Sequence, residues 1–385
     1  MKDRASIIFT GDIGFDRYME GRWKDERLLS REIVDFFKTA DHVVANVEGA
    51  LISAPDDGSR GVYFHCMDPR AVRVLQTIRA DVWNIANNHI MDAGKEGMAS
   101  TLGIAAKEGV LTLGAGLDIF QASRPVFFEE AGGIGLVSVA YSPECPRATE
   151  ELPGVLVWDD TELIAKRIAE IKARVRWCVV VAHGGEEFSV LPNPYIRDRY
   201  IKYLEFGADV VVAHHPHVPQ NYETFDSGKT IFYSLGNFIF DTDYQRAHKH
   251  TDTGILLRLT FTKDGYSFDA LGTKTVRGEE RLERCSVPEI FTDVREGDYE
   301  ALLPLASRVF LEEEKRRMLF LEPEKYGNAT EADWERYFLS DEPENYTPGV
   351  LMDLGIVLSN ARKAPGKAYE QCKNEKVKKY LLETL

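Results

Sequence analysis

Ala208-Asp209-Val210-Val211-Val212-Ala213-His214-His215-Pro216-His217-Val218 decides how this chain is read. Val210, Val211 and Val212 are β-branched and run without polar alternation. That is the pattern of a strand in a parallel sheet covered on both faces. Three histidines then fall in four positions, 214 to 217, where the strand should stop. Pro216 cannot donate to a ladder and fixes the backbone between two of them. Open α/β sheets bind ligands outside the carboxyl ends of their strands. A His-x-His pair at that edge can aim two imidazoles at one point.

The same arrangement recurs along the chain. Ser6-Ile7-Ile8-Phe9-Thr10 runs into Gly11-Asp12. His42-Val43-Val44-Ala45 runs into Asn46-Val47-Glu48, and Asn46 and Glu48, two apart on a strand, share one side. Asp81 to Ala86 runs into Asn87-Asn88-His89, with Asp92 following. Trp177 to Ala182 runs into His183-Gly184-Gly185-Glu186-Glu187, where His183 and Glu187 suit a ligand and an acid–base group. Helical periodicity over 26–38, 69–80, 95–108, 161–174 and 194–206 separates these strands. The rhythm of strand and helix predicts an α/β domain with a largely parallel sheet. Residues 124–128 and 134–140 read as an antiparallel pair around Gly132-Gly133, and 254–261 with 266–271 as a hairpin. Residues 50–64 read as a loop on the pocket rim. Residues 244–252, polar and carrying His248 and His250, read as a lid over the site.

Composition narrows the function classes. The 385 residues are 44% hydrophobic and 28% charged, ordinary for a globular protein that buries its own core. A net charge of −15 argues against nucleic acid as a partner, because phosphate backbones need a basic surface. Metal ions in a site would still draw an anionic substrate. The five cysteines are scattered and lack C-x-x-C spacing, which fits reduced thiols. The first apolar run is too short for a signal-peptide core, and no stretch is long enough for a membrane span, so a cytoplasmic location is expected. After about residue 287 strand signals give way to charged helical segments. The expected division is residues 1–286 as one α/β domain and 287–385 as a helical extension for packing or homo-oligomer formation.

Gathered from these strand ends, carboxylate, amide and imidazole groups suit Mn, Fe or Zn. Two such ions would polarise a phosphoryl oxygen and lower the pKa of water.

The order of Gly11-Asp12, Asn46-Val47-Glu48, Asn87-Asn88-His89 with Asp92, His183 to Phe188, His215-Pro216-His217-Val218-Pro219-Gln220 and Ser234 to Phe238 resembles the CapA family. These are bacterial capsule or poly-γ-glutamate synthesis proteins related to metallophosphoesterases. The resemblance covers roughly residues 5 to 272. It implies a calcineurin-like metallophosphoesterase four-layer α-β-β-α sandwich, here with a helical C-terminal appendage. It implies Asp12, Asn88, His183 and His215 as metal ligands, with His217 a further ligand and His89 the acid near the substrate. Asn46 and Glu48 stand where ordinary metallophosphoesterases carry their second aspartate. Glu48 is taken as a ligand, and Asn46 and Glu187 as catalytic groups. One departure is Gly14, which replaces the histidine of the usual Asp-x-His opening, so one or two ions are expected. The implied activity is metal-dependent hydrolysis, first of a phosphoester. The alternatives are an accessory or binding component of poly-γ-glutamate biosynthesis and a γ-glutamyl amidohydrolase. Each implies an anionic small-molecule or polymer substrate.

Overall fold

The computed structural model describes residues 2–53, 61, 63–141, 145–339 and 368–385. Part of the expected rim loop (54–60 and 62) and of the expected helical extension (340–367) lies outside the described residues.

The chain opens with β1 (Arg4–Ile13), α1 (Arg31–Phe37), β2 (His42–Val47), α2 (Val72–Thr77), β3 (Val82–Asn84), α3 (Gly94–Glu108) and β4 (Leu111–Leu113). It continues through β5 (Val126–Phe128), β6 (Ile134–Ala140), α4 (Thr161–Arg174), β7 (Trp177–His183), α5 (Pro194–Glu205), β8 (Val210–His214), β9 (Tyr222–Thr224) and β10 (Thr230–Phe232). It returns with β11 (Asn237–Ile239), β12 (Thr253–Thr262), β13 (Tyr266–Val276) and β14 (Arg281–Cys285), followed by α6 (Glu296–Leu321) and α7 (Glu375–Thr384).

Two sheets form. The larger has the order β14-β13-β12-β1-β2-β3-β4, with β11 also on β1. The smaller has the order β9-β10-β8-β7-β6-β5. Strands β1 to β4 and β6, β7, β8 and β10 are parallel; β5 on β6 and β12 on β13 are antiparallel as their sequences predict, and β12 also runs antiparallel to β1, so the larger sheet is mixed.

Side-chain alternation stacks four layers. Ile7 and Phe9 of β1 meet Val179, Val181, Val210 and Val212 of the other sheet in one core. Ile8 points the opposite way, into a core with Ile33, Phe37, Leu75 and Met98 from α1, α2 and α3. Val180 and Val211 likewise turn outward to Ile164, Ile168 and Tyr200 of α4 and α5. Both faces of each central strand are covered, which is why the strands are apolar throughout. The chain thus forms the expected four-layer α-β-β-α sandwich.

The helices after residue 295 do not stand apart. Tyr299, Leu302, Leu305 and Val309 of α6 bury themselves against Phe188, Val190, Leu191, Val218 and Tyr244, and Val377 and Leu381 of α7 join them. This corrects the expected lid. His248 is buried, its ring stacks on Phe188 with centroids 3.6 Å apart, and its Nδ1 lies 2.9 Å from the buried Glu313 carboxylate of α6. Segment 244–252 is packed beneath α6, with Tyr244, Gln245, His248 and Thr251 buried. Among the described residues, no helix is long and apolar enough to cross a membrane.

Candidate metal centre

Strand register builds the centre. In the larger sheet Asn237, Asp12, Asn46 and Asn84 are successive cross-strand partners on β11, β1, β2 and β3. In the smaller sheet His183 is the partner of His214 at the ends of β7 and β8. Gly11 permits the junction of β1 with β11: a Cβ there would lie 2.1 Å from the Gly236 carbonyl oxygen. The backbone is strained where the two sheets meet. His215 has φ of 99° and His217 φ of 58°, on either side of Pro216. Such conformations cost on the order of 1–3 kcal/mol each and persist where the surroundings impose them.

Two clusters of ligand atoms result. Glu48, His183 and His215 form one, and Asp12, Glu48 and His217 the other, all buried, with ligand atoms within 4.8 Å of one another in each. Glu48 belongs to both. Its Oε1 lies 3.6 Å from His217 Nε2, 3.7 Å from His183 Nε2 and 3.9 Å from His89 Nε2. Neither Glu48 oxygen has a hydrogen-bond partner among the described residues. A buried carboxylate left this way is costly, and a divalent cation on either side would satisfy it. The nitrogen and oxygen donors are those that Mn, Fe and Zn accept.

The remaining expected residues fall around this core. Asn88 Oδ1 lies 3.0 Å from His183 Nε2, so it borders the first cluster. His89 Nδ1 is 2.8 Å from Asp92 Oδ2, an orienting carboxylate, and its Nε2, 3.9 Å from Glu48, accepts from Asn88 Nδ2 at 3.0 Å. Glu187 stands at the edge, its side chain 24% exposed, 4.0 Å from His217 Nε2 and hydrogen-bonded by the Tyr244 hydroxyl at 2.9 Å. Asn46 sits behind the ligands: it donates to Asp12 Oδ1 at 2.7 Å and accepts from Asn84 at 2.6 Å. That placement suits holding Asp12 better than a chemical step. Asn237 performs the matching task for His217, its Oδ1 2.9 Å from Nδ1. Gly14 is explained too. A Cβ there would lie 2.7 Å from the Phe240 ring, which fills the space a histidine would need.

Sequence reasoning missed Asn84, Asp16 and His65. Asn84 is visible in hindsight as the polar end of β3; Asp16 and His65 lie in irregular segments without a periodic signal.

Burial pushes Glu48 well above the usual carboxylate range, helped by the charges of Asp12, Glu187 and Asp16. Burial pulls the His217 imidazole down, but Glu48, Asp12 and Glu187 outweigh it and hold it up at about 10. Burial lowers His215 to about 4, with Glu187 opposing. Burial and four neighbouring imidazoles carry His183 well below its ordinary value. Burial raises Asp12, and the hydrogen bond from His217 with the nearby imidazoles more than reverses that. Without metal, His217 therefore holds a proton beside the Asp12 carboxylate, while His183 and His215 are neutral and ready to ligate.

Residues 6–242 match the family model described as bacterial capsule synthesis protein PGA_cap. The chain belongs to that family. This PGA_cap chain is 32% identical over 250 residues to the PGA biosynthesis protein CapA of Bacillus subtilis (strain 168), covering 63% of this chain and 65% of that one. It is 26% identical over 258 residues to the capsule biosynthesis protein CapA of Bacillus anthracis, covering 63% and 62%. A probable polyglutamine synthesis accessory protein of Mycobacterium tuberculosis (strain ATCC 25618 / H37Rv) is 28% identical over 233 residues, covering 57% and 60%. The PGA_cap chain thus spans a little under two thirds of these relatives' length. A 5'-nucleotidase from Candida albicans SC5314 superposes with a TM-score of 0.41 at 12% identity, over 69% of this chain and 50% of that one.

Proposed function

We propose that this chain is a metal-dependent hydrolase that cleaves a phosphoester. The observation that carries the reading is Glu48, one buried carboxylate shared by two ligand clusters and without a hydrogen-bond donor among the described residues. Asp12, Glu48, Asn88, His183, His215 and His217 would hold one or two divalent ions, Mn, Fe or Zn. Bound there, the ions would polarise a phosphoryl oxygen and lower the pKa of water. The chain's own groups do the rest. Asn46 and Asn237 fix Asp12 and His217. Asp92 fixes His89 so that its Nε2 exchanges a proton beside Glu48. Glu187, half-buried at the edge, meets the substrate as it enters. In this reading residues 1–286 carry the centre, and 287–385 brace its rim and offer helices for self-association. The protein acts in the cytoplasm on an anionic small molecule or polymer.

The test is hydrolysis of an aryl phosphodiester by protein loaded with Mn, Fe or Zn, beside Glu48→Gln. Turnover by the parent that the variant loses supports the reading. A metal-loaded parent that turns over no phosphoester overturns it.

The likeness to a PGA biosynthesis protein and to a probable polyglutamine synthesis accessory protein favours a second reading, an accessory or binding component of poly-γ-glutamate biosynthesis, with a γ-glutamyl amidohydrolase as its catalytic alternative. A metal-loaded protein inert to phosphoesters that binds or cleaves γ-glutamyl oligopeptides would establish it.

A further inference from the structure

Ester hydrolysis moves two protons, one off the attacking water and one onto the leaving oxygen. His89 is a single imidazole. A second imidazole–carboxylate pair, outside the ligand clusters, lies against it. His65 Nδ1 is 2.5 Å from Asp16 Oδ2, with side chains only 8% and 4% exposed. The backbone N–H of His65 donates at 2.8 Å to Asp92 Oδ2, the same oxygen that holds His89 Nδ1. The two imidazoles meet edge to face with centroids 4.3 Å apart. Beyond His65 the wall continues to Phe240 at 5.1 Å, and from Phe240 to His217 at 4.8 Å. His65 therefore occupies the same wall as His89 and His217. Gly49, beside Glu48, makes this approach possible. It adopts φ of 102°, and a Cβ there would lie 2.9 Å from the His65 carbonyl oxygen.

From this geometry we propose that His65, oriented by Asp16, is the catalytic acid that protonates the leaving oxygen; this rests on the hydrolase reading above. Asp16 occupies Nδ1. Nε2, which makes no hydrogen bond to a described residue, is left to exchange the proton. In the step, the water oxygen bonds to phosphorus and its proton passes to His89 Nε2, whose free-base form accepts from Asn88 Nδ2, so that His89 serves as the base in place of the acid role the resemblance implies. The bond from phosphorus to the leaving oxygen breaks, and that oxygen keeps the electron pair and takes the proton from His65 Nε2. Solvent then returns a proton to His65 and removes one from His89, so the cycle closes with no other reactant. A purely structural His–Asp pair would make His65 indifferent to the leaving group. Acid catalysis makes it matter most where that group is a poor one.

The experiment compares two diaryl phosphates, one losing nitrophenolate and one losing unsubstituted phenolate. Both are given to Mn-loaded parent, His65→Asn and Asp16→Asn, with metal content and melting temperature measured on each. The expected result is a loss on the order of 10²-fold for His65→Asn on the phenyl ester, with a much smaller loss on the nitrophenyl ester and unchanged metal content. Asp16→Asn, which keeps the imidazole but loses its anchor, shows the same selectivity to a lesser degree and stands in if His65→Asn does not fold. Equal losses on both esters, or none, overturn the role of His65 while hydrolysis by the parent leaves the hydrolase reading standing. A metal-loaded parent that cleaves neither ester overturns both.

Discussion

Asn46 Nδ2 donates to Asp12 Oδ1 at 2.7 Å across two neighbouring strands, and both groups are fully enclosed. That bond commits one oxygen of Asp12 to the sheet and turns the other toward His217, 3.3 Å away. Asn46 in turn accepts from Asn84 at 2.6 Å, so an amide relay three strands wide sets the direction of one carboxylate. Asn46→Leu would leave Asp12 and Asn84 each short of a partner. The expected cost is about 1–3 kcal/mol in denaturant unfolding of the metal-free protein, together with weaker metal binding. An unchanged midpoint would show that the relay holds nothing.

His217 predicts how metal binding responds to pH. Its imidazole is held up at about 10 in the metal-free fold, so it is protonated at neutral pH, and a ligating imidazole must be neutral. The raised value stabilises the metal-free protein fully below pH ~6.5, and that contribution fades as pH climbs toward about 10. Metal affinity runs the other way and strengthens over the same window. Calorimetric titration at pH 7 in two buffers of different ionisation enthalpy should report proton release on binding. His217→Gln should reduce that release, the rest coming from Glu48. Binding by the parent that is independent of the buffer would contradict this picture.

The pair of His248 and Glu313 predicts that α6 is part of the fold's stability. Both side chains are at most 2% exposed, and Glu313 is also paired to Arg316. Glu313→Ala strands His248 and should cost about 3–5 kcal/mol, as breaking a buried pair does. Glu331→Ala, an exposed partner of Lys315, should cost at most about 1 kcal/mol. Thermal unfolding of the two variants side by side separates the cases, and similar melting temperatures would refute the claim.

The parts that were legible in the sequence share a cause. Valine runs such as 179–181 and 210–212 are buried on both faces, so their polar end residues stand out against an unbroken apolar background. The sharing of Glu48 was not legible, because it depends on how one sheet packs on the other. The lid expected over 244–252 failed for a related reason: the segment looks solvent-facing until Glu313, 65 residues from His248, covers it. Asp16 and His65 stayed hidden because they meet through irregular chain, where spacing carries no geometric information. Gly14 read as a lost ligand, and only the Phe240 ring shows why no side chain fits.

Metal content tests the central claim most directly. Protein purified without added metal or chelator, and again after exposure to Mn, Fe or Zn, should carry one or two equivalents per chain, one for each cluster around Glu48 that fills. Glu48→Gln should lose most of whatever metal is bound, because the two clusters share that carboxylate. A chain that binds none of these ions under any loading, or a Glu48→Gln variant that keeps the parent's full metal content, would contradict the account.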